Sequence, residues 1–281
     1  MPVVERMRPL LGTFVTIRAA SASGTPEAAI TAAVESAFAA IAQVDRLMSF
    51  HRRNSDVGRL NRARTGTCLR VHRWTFEVLT EAQRLWSWSG GAFDCNVGGP
   101  LMRCGLLPKF ARYQPGRGCL AGSAILLGRR RSIRLRAPVA LDLGGIAKGF
   151  AVDKAVEALQ RFGIISGMVN AGGDLRVFGD EPQPVWVRCP QDPTSVQMIG
   201  TLTNGAIATS AAYFVNAHRP GEDEASAIVD AARGRRVAVS NSVSVIARNG
   251  MLADGLTKVA VLMGRIPSRI ARHAQARIVT L

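Results

Sequence analysis

The sequence predicts an α+β fold, with mixed sheets and packed helices, and three observations predict it. Short segments that alternate apolar and polar residues recur along the chain, as strands do. Longer segments repeat apolar residues at helical spacing. The two kinds follow one another without a strict β-α-β repeat, which is the order of an α+β protein. With 281 residues, 47% of them hydrophobic, the chain can bury the core of one domain over residues 1–281, with room for two closely associated lobes.

Taken in order, residues 11–18 alternate as a strand, and residues 26–48 carry Ile30, Val34, Phe38, Ile41 and Val44 at helical spacing. A second helix is predicted over 72–88, where Trp74, Val78, Leu79 and Leu85 recur before the turn at Gly90 and Gly91. Residues 96–122 are rich in glycine and proline with no sustained period, and they read as a long loop of the kind that carries function. Residues 129–136 alternate arginine with apolar residues, which predicts a strand with an arginine-rich solvent face. A short strand at 139–143 leads into a helix over 146–162, ended by Gly163. Strands at 168–170, 174–178 and 185–189 follow, the first two joined by the turn Ala171-Gly172-Gly173. Beyond Gly205, strands are predicted at 206–209, 225–229, 237–239 and 243–247, and a helix at 251–263.

The formal net charge of +16 attracts polyanions, but only four of the 36 basic residues are lysines: Lys109, Lys148, Lys154 and Lys258. The arginines are spread along the chain apart from the cluster Arg129, Arg130, Arg131, Arg134 and Arg136. No zinc-finger, K-homology or ribonucleoprotein signature accompanies them, so no specific nucleic-acid binding is expected. Five cysteines, an odd number without a Cys-x-x-Cys pair, read as reduced thiols and not as a disulfide framework or zinc site. The first nine residues carry Glu5, Arg6 and Arg8, and the alanine-rich stretch 28–42 is interrupted by Glu35. Neither has the character of a secretory signal or a membrane span, and a cytoplasmic location is the expectation.

The stretch that bears most on function runs from Asp142 to Asp153, Asp-Leu-Gly-Gly-Ile-Ala-Lys-Gly-Phe-Ala-Val-Asp. A strand enters a Gly-Gly turn and a helix begins at once. Backbone N–H groups at a helix start, together with its positive dipole end, favour a phosphate, and Lys148 adds a cation in the first turn. Asp142, at the strand end, has the chemistry to hold a ribose hydroxyl, a ring nitrogen or a metal-bound water. The plainer alternative is a tight strand-to-helix connection with Asp153 and Lys154 as solvated helix residues. The pattern is neither the Gly-x-Gly-x-x-Gly fingerprint nor a P-loop.

Read with Val169-Asn-Ala-Gly-Gly-Asp-Leu-Arg-Val-Phe-Gly179, the sequence resembles the FAD:protein FMN transferases, the ApbE-type flavin transferases. The resemblance extends to Leu11-Gly-Thr13, Met48-Ser-Phe-His51 with Ser55 and Asn61, Gly91-Ala-Phe-Asp94 with Gly99-Pro-Leu101, Ile207-Ala-Thr-Ser210 and Leu252-Ala-Asp-Gly-Leu-Thr257. It implies the flavin transferase fold and a magnesium-dependent enzyme that cleaves the FAD pyrophosphate. FMN would pass to a threonine or serine of an acceptor protein, docked near the loop from Gly98 to Gly122, with release of AMP. Leu11, His51, Ala92, Phe93, Asp94, Asp142, Lys148 and Ile228 are the cofactor-binding positions it implies.

Such a reaction needs a cation at the pyrophosphate, a base for the acceptor hydroxyl and a clamp for the dinucleotide. For the cation, Asp254, Thr257 and Lys258 share one helical face, and the resemblance implies magnesium on Asp254, Thr257 and the backbone at Gly145. The chain departs from the family at Lys258, where a hydroxyl residue is usual. Two consequences stay open: Lys258 supplies positive charge in place of or beside magnesium, or it turns away and leaves Asp254 and Thr257 with the metal. For the base, Ala227 stands in Ala227-Ile-Val-Asp230 where the family has histidine, and His218 is the substitute candidate, making Asp254, Lys258 and His218 the catalytic set. For the clamp, His51 replaces an aromatic ring that stacks on flavin. A homologue that binds FAD without transferring it is the alternative activity.

Overall fold

The computed structural model describes residues 1–109, 124–189, 192, 194–210, 225–238 and 242–280. The chain opens with the hairpin β1 (Val3–Leu10) and β2 (Thr13–Ala20), followed by α1 (Glu27–Met48), α2 (Asp56–Arg62), β3 (Cys68–Arg70), α3 (Arg73–Trp88) and α4 (Gly98–Arg103). Next come β4 (Ile125–Leu127), β5 (Ser132–Leu135), α5 (Ala147–Arg161), β6 (Ser166–Ala171), β7 (Asp174–Phe178), the hairpin β8 (Gln183–Arg188) and β9 (Val196–Leu202), and β10 (Ala206–Ser210). The chain continues through β11 (Ala225–Asp230), β12 (Arg235–Ala238), β13 (Val243–Ala247), α6 (Gly250–Met263), α7 (Ser268–Ala274) and β14 (Arg277–Thr280). The α+β expectation holds.

A sheet of seven strands in the order β1-β2-β6-β7-β10-β13-β14 is the frame, and each of its ladders is antiparallel. Successive side chains on a strand point to opposite faces, and this sorts the sheet. On β7, Leu175 and Val177 join Val185, Val187, Leu202 and Ile207 in a small core on the face toward the β8–β9 hairpin. Phe178 points the other way into the main core, and Asp174 and Arg176 share its side of the strand. On β10, Ala206 and Ala208 belong to that main core, which the helices complete.

The face of α1 that carries Ile30, Val34, Phe38, Ile41 and Val44 is buried, as its spacing predicts. This helix is long and apolar enough by composition to cross a membrane, and here its apolar side is spent on core packing against β1, β2 and α5. Helices α5 and α6 meet backbone to backbone. A Cβ at Gly149 would lie 2.0 Å from the Gly250 carbonyl oxygen, and one at Gly250 would lie 2.5 Å from that of Gly149. Only glycine fits either position.

Several elements differ from expectation for identifiable reasons. β1 was not foreseen because Val4 is its one fully buried residue, so this edge strand has no alternation to read. Residues 139–143 are extended but form no strand. Asn61 replaces a strand partner: its Oδ1 accepts the Leu141 N–H at 2.7 Å and its Nδ2 donates to the Leu141 carbonyl at 2.9 Å. Asn96 Oδ1 accepts the Ala140 N–H at 2.8 Å. The predicted loop 96–122 contains α4, and its residues 110–122 lie outside the described residues. Arg129–Arg131 form a 3-10 turn, with Arg130 and Arg131 at φ 53° and 63°, and the strand begins only at Ser132. Arg134 is exposed between buried Ile133 and Leu135, as the alternation predicts. The four described cysteines are free thiols.

Asp153 is not a solvated helix residue. Its carboxylate accepts the N–H groups of Gly250 and Met251 at 2.7 and 2.8 Å, tying α5 to the start of α6. Burial pushes its carboxyl up to about 6, outweighing those two N–H groups and the Arg176 guanidinium, which act downward. A raised folded-state pKa means that this group contributes stability in full below about pH 4 and loses it as pH rises through about 6. Asp153→Asn removes the titration. In urea denaturation we expect the stability difference between about pH 4.5 and about pH 7.5 to change by about 2 kcal/mol relative to the unsubstituted chain. An unaltered pH dependence would refute this reading.

Candidate active site

Where α5 begins, the Leu141 clamp delivers Asp142 to the end of a cavity of about 410 Å3. The Asp142 N–H donates to the Cys95 carbonyl at 2.8 Å, and its Oδ2 accepts the Gly144 N–H at 3.3 Å. The floor is Asp142, Gly144, Gly145, Lys148 and Lys258, one wall is Ala92, Phe93 and Asp94 with Leu101, Leu106 and Leu107, and another is Ala227, Ile228 and Val229 of β11. Apolar Phe93, Leu101, Leu106 and Leu107 beside charged Asp142, Lys148 and Lys258 suit a ligand with a flat ring at one end and an anion at the other.

The floor differs from the expected cradle of unpaired amides. The N–H groups of Ile146 and Ala147 both donate to the Leu143 carbonyl, and that of Gly149 donates to Asp254 Oδ2 at 3.0 Å. With the Gly144 amide on Asp142, the helix start is largely occupied from within. Cationic side chains supply the charge instead. Lys148 Nζ pairs with Asp174 Oδ2 at 2.5 Å, and Lys258 Nζ pairs with Asp254 Oδ1 and lies 3.1 Å from the Asp254 carbonyl oxygen. Asp254 is 0% exposed and Asp174 2%.

The four charges act as one group. Burial alone would lower the Lys148 pKa, but the Asp174 and Asp254 carboxylates reverse this and raise it. Burial raises Asp174 with help from Asp254, against Lys148 and Lys258. For Asp254 burial acts upward, and Lys258 and Lys148 together bring it below the ordinary carboxylate value. Asp142 is raised, chiefly by burial, against the Gly144 N–H, His51 and Lys258.

Of the expected site residues, Ala92, Phe93, Asp94, Asp142, Gly145, Lys148, Ile228 and Lys258 line this cavity. Asp254 and Thr257 lie beneath it, both fully buried. His51 is exposed, off the cavity lining but close enough to favour ionised Asp142, with its ring edge-on to Phe50 at 6.3 Å. Leu11 does not line it: at φ 57° it makes the β1–β2 turn and packs against the main core. His218 lies outside the described residues.

The sequence pattern of the ApbE family matches residues 11–279. The chain belongs to the ApbE family. It is similar to the FAD:protein FMN transferase of Vibrio cholerae, 31% identical over 239 residues that cover 79% of this chain and 70% of that one. The FAD:protein FMN transferase of Haemophilus influenzae is 29% identical over 247 residues, covering 80% and 71%. Among solved structures, the flavin transferase ApbE from Vibrio cholerae superposes with a TM-score of 0.80 at 25% identity, over 99% of this chain and 93% of that one. The ApbE protein from Thermotoga maritima gives 0.77 at 25% identity, over 99% and 94%.

In this ApbE chain the residues expected to hold magnesium do not fit the ion. One Asp254 oxygen carries the Lys258 ammonium and the other the Gly149 N–H. Thr257 Oγ1 donates to the Asp254 carbonyl and accepts from Ser210 Oγ, both at 2.8 Å. Gly145 is covered by the Lys258 stem, whose Cε would stand 3.2 Å from a Cβ there. Magnesium demands several oxygens at near-ideal octahedral positions, and an ammonium on the same carboxylate repels it. Among the described residues, no group of three His, Cys, Asp or Glu side chains is gathered for a metal.

The roles of Asp174, which follows the turn Ala171-Gly172-Gly173, and of Asn61, the clamp of the floor, are not legible in the sequence alone. Both signals were present, as a carboxylate after a Gly-Gly turn and an amide in a family motif, but their partners are 26 and 80 residues away. Asn61→Ala leaves both polar groups of buried Leu141 unpaired, and we expect a loss of about 2–4 kcal/mol in urea denaturation. A loss below about 0.5 kcal/mol would show that the clamp is dispensable.

Proposed function

We propose that this protein transfers FMN from FAD to a threonine or serine hydroxyl of an acceptor protein and releases AMP. The observation that carries the reading is the bipolar cavity, whose apolar lining matches a flavin ring and whose two ammonium groups, Lys148 and Lys258, match a pyrophosphate in charge. The activity for which these relatives are named supports it. In the reaction the acceptor oxygen attacks the phosphorus of the FMN half. The bond from that phosphorus to the bridging oxygen breaks, AMP leaves with the electron pair, and the hydroxyl proton is lost. The resemblance adds magnesium at the pyrophosphate, but the donor set does not fit it.

Ala227 faces the cavity with no atom that accepts a proton. We assign the proton to Asp142, a carboxylate on the floor whose raised pKa moves it toward the range useful for a general base. Asp142→Asn keeps an oxygen for the Gly144 N–H. It is expected to leave KM for FAD within about threefold and lower kcat by about 100-fold or more. An unchanged kcat would remove Asp142 from the proton path. Because the active form is ionised, activity of the unsubstituted chain should fall as pH drops through the raised Asp142 pKa.

The whole reading is tested by incubating the protein with FAD and an acceptor domain bearing a target threonine, with and without magnesium. AMP and an FMN-sized mass increase on the acceptor are expected. Flavin retained with no AMP would favour the binding-only homologue, for which Ala227 is the specific argument. Retention on nucleic acid without flavin binding would overturn both.

A further inference from the structure

The cavity floor carries a covalently attached cation. Lys258 Nζ is anchored by Asp254 Oδ1 and lies 3.1 Å from the Asp254 carbonyl oxygen. An ammonium has three N–H donors, so one remains for a ligand in the cavity that Lys258 lines. Its stem lies over Gly145, where a Cβ would come within 3.2 Å of Cε, so the glycine leaves room for the lysine to reach the floor. It is 20% exposed, while Asp254 beneath it is 0% exposed. Asp254 holds the ammonium in place through the ion pair with its Oδ1. Lys148, held the same way by Asp174, stands on the same floor.

We propose that Lys258 receives the diphosphate of FAD as a tethered cation in place of a divalent metal, so that this chain binds its dinucleotide without magnesium. The identity of the ligand rests on the transferase reading. Lys258 cannot both occupy Asp254 and leave it to a metal, whose first requirement is that carboxylate. A point charge on a flexible stem is a common phosphate ligand, and here Asp254 anchors that charge.

The test measures FAD affinity by titration of the full chain, stripped of metal, in EDTA and in excess magnesium. Equal affinity within twofold is expected, and tightening by magnesium beyond twofold overturns the proposal. This arm needs no variant. In EDTA, Lys258→Ser is expected to weaken FAD binding at least tenfold with an unchanged circular dichroism spectrum, and affinity equal to that of the unsubstituted chain overturns the proposal. Magnesium-dependent binding with AMP release would sink the tethered cation and leave the transferase reading standing. Metal-independent binding without AMP would do the reverse. No binding in either buffer would overturn both.

Discussion

The approach of α5 to α6 at Gly149 and Gly250 is the constraint on which the rest of the site depends. With each glycine's Cβ position already taken by the other's carbonyl oxygen, the two helix backbones touch. That contact brings the Gly149 N–H onto Asp254 and lets Asp153 reach the first two amides of α6. It also sets Lys258, one turn beyond Asp254, against Gly145 at the start of α5. A side chain at either glycine would part the helices and with them the lysine from the cavity floor. The seven-stranded sheet serves this contact, since β7 presents Asp174 to Lys148 and Arg176 to Asp153 from one face.

Bringing Asp174 and Asp254 out of water next to each other creates a problem that the fold has to solve locally. Buried charges of one sign are tolerated only with partners of the other in good geometry, and each carboxylate here has its own lysine. A hydroxyl at position 258 would leave Asp254 with only the Gly149 N–H and would call for a cation from solution. Lysine and a bound metal are therefore alternative answers to one electrostatic demand. The lysine answer couples the site to folding, because the cation is present whenever α6 is formed.

Local signals in the sequence were strong where periodicity and burial coincide. The buried faces of α1, α3, α5 and α6, and the strands β2, β6, β7, β10 and β13 of the central sheet, follow from spacing because the core filters each position by polarity. The segment 139–143 misled because its hydrogen bonds go to the side chains of Asn61 and Asn96, and pairing through side chains leaves no alternation. β1 was invisible because an exposed edge has no buried face. At the site, residue types at family positions identified the lining of the cavity, whereas who pairs with whom was not legible. The Lys148–Asp174 pair depends on the register of β7, and the choice between an inward and an outward Lys258 depends on the glycine contact that admits its stem.

Loss of the family histidine and gain of a lysine weigh unequally on the proposed reaction. The phosphorus under attack carries the ribityl ester as well as the bridging oxygen, so negative charge builds on its non-bridging oxygens and on the departing AMP as the acceptor oxygen bonds. The acceptor hydroxyl gives up its proton as that bond forms, the part assigned to Asp142. AMP leaves as a phosphate anion and needs no protonation to depart. The large demand is for positive charge at the bridging oxygen and its non-bridging neighbours, where fixed charge in a site shielded from water is worth most. In the proposed reaction that demand falls on Lys148 and Lys258, the two anchored ammonium groups of the floor.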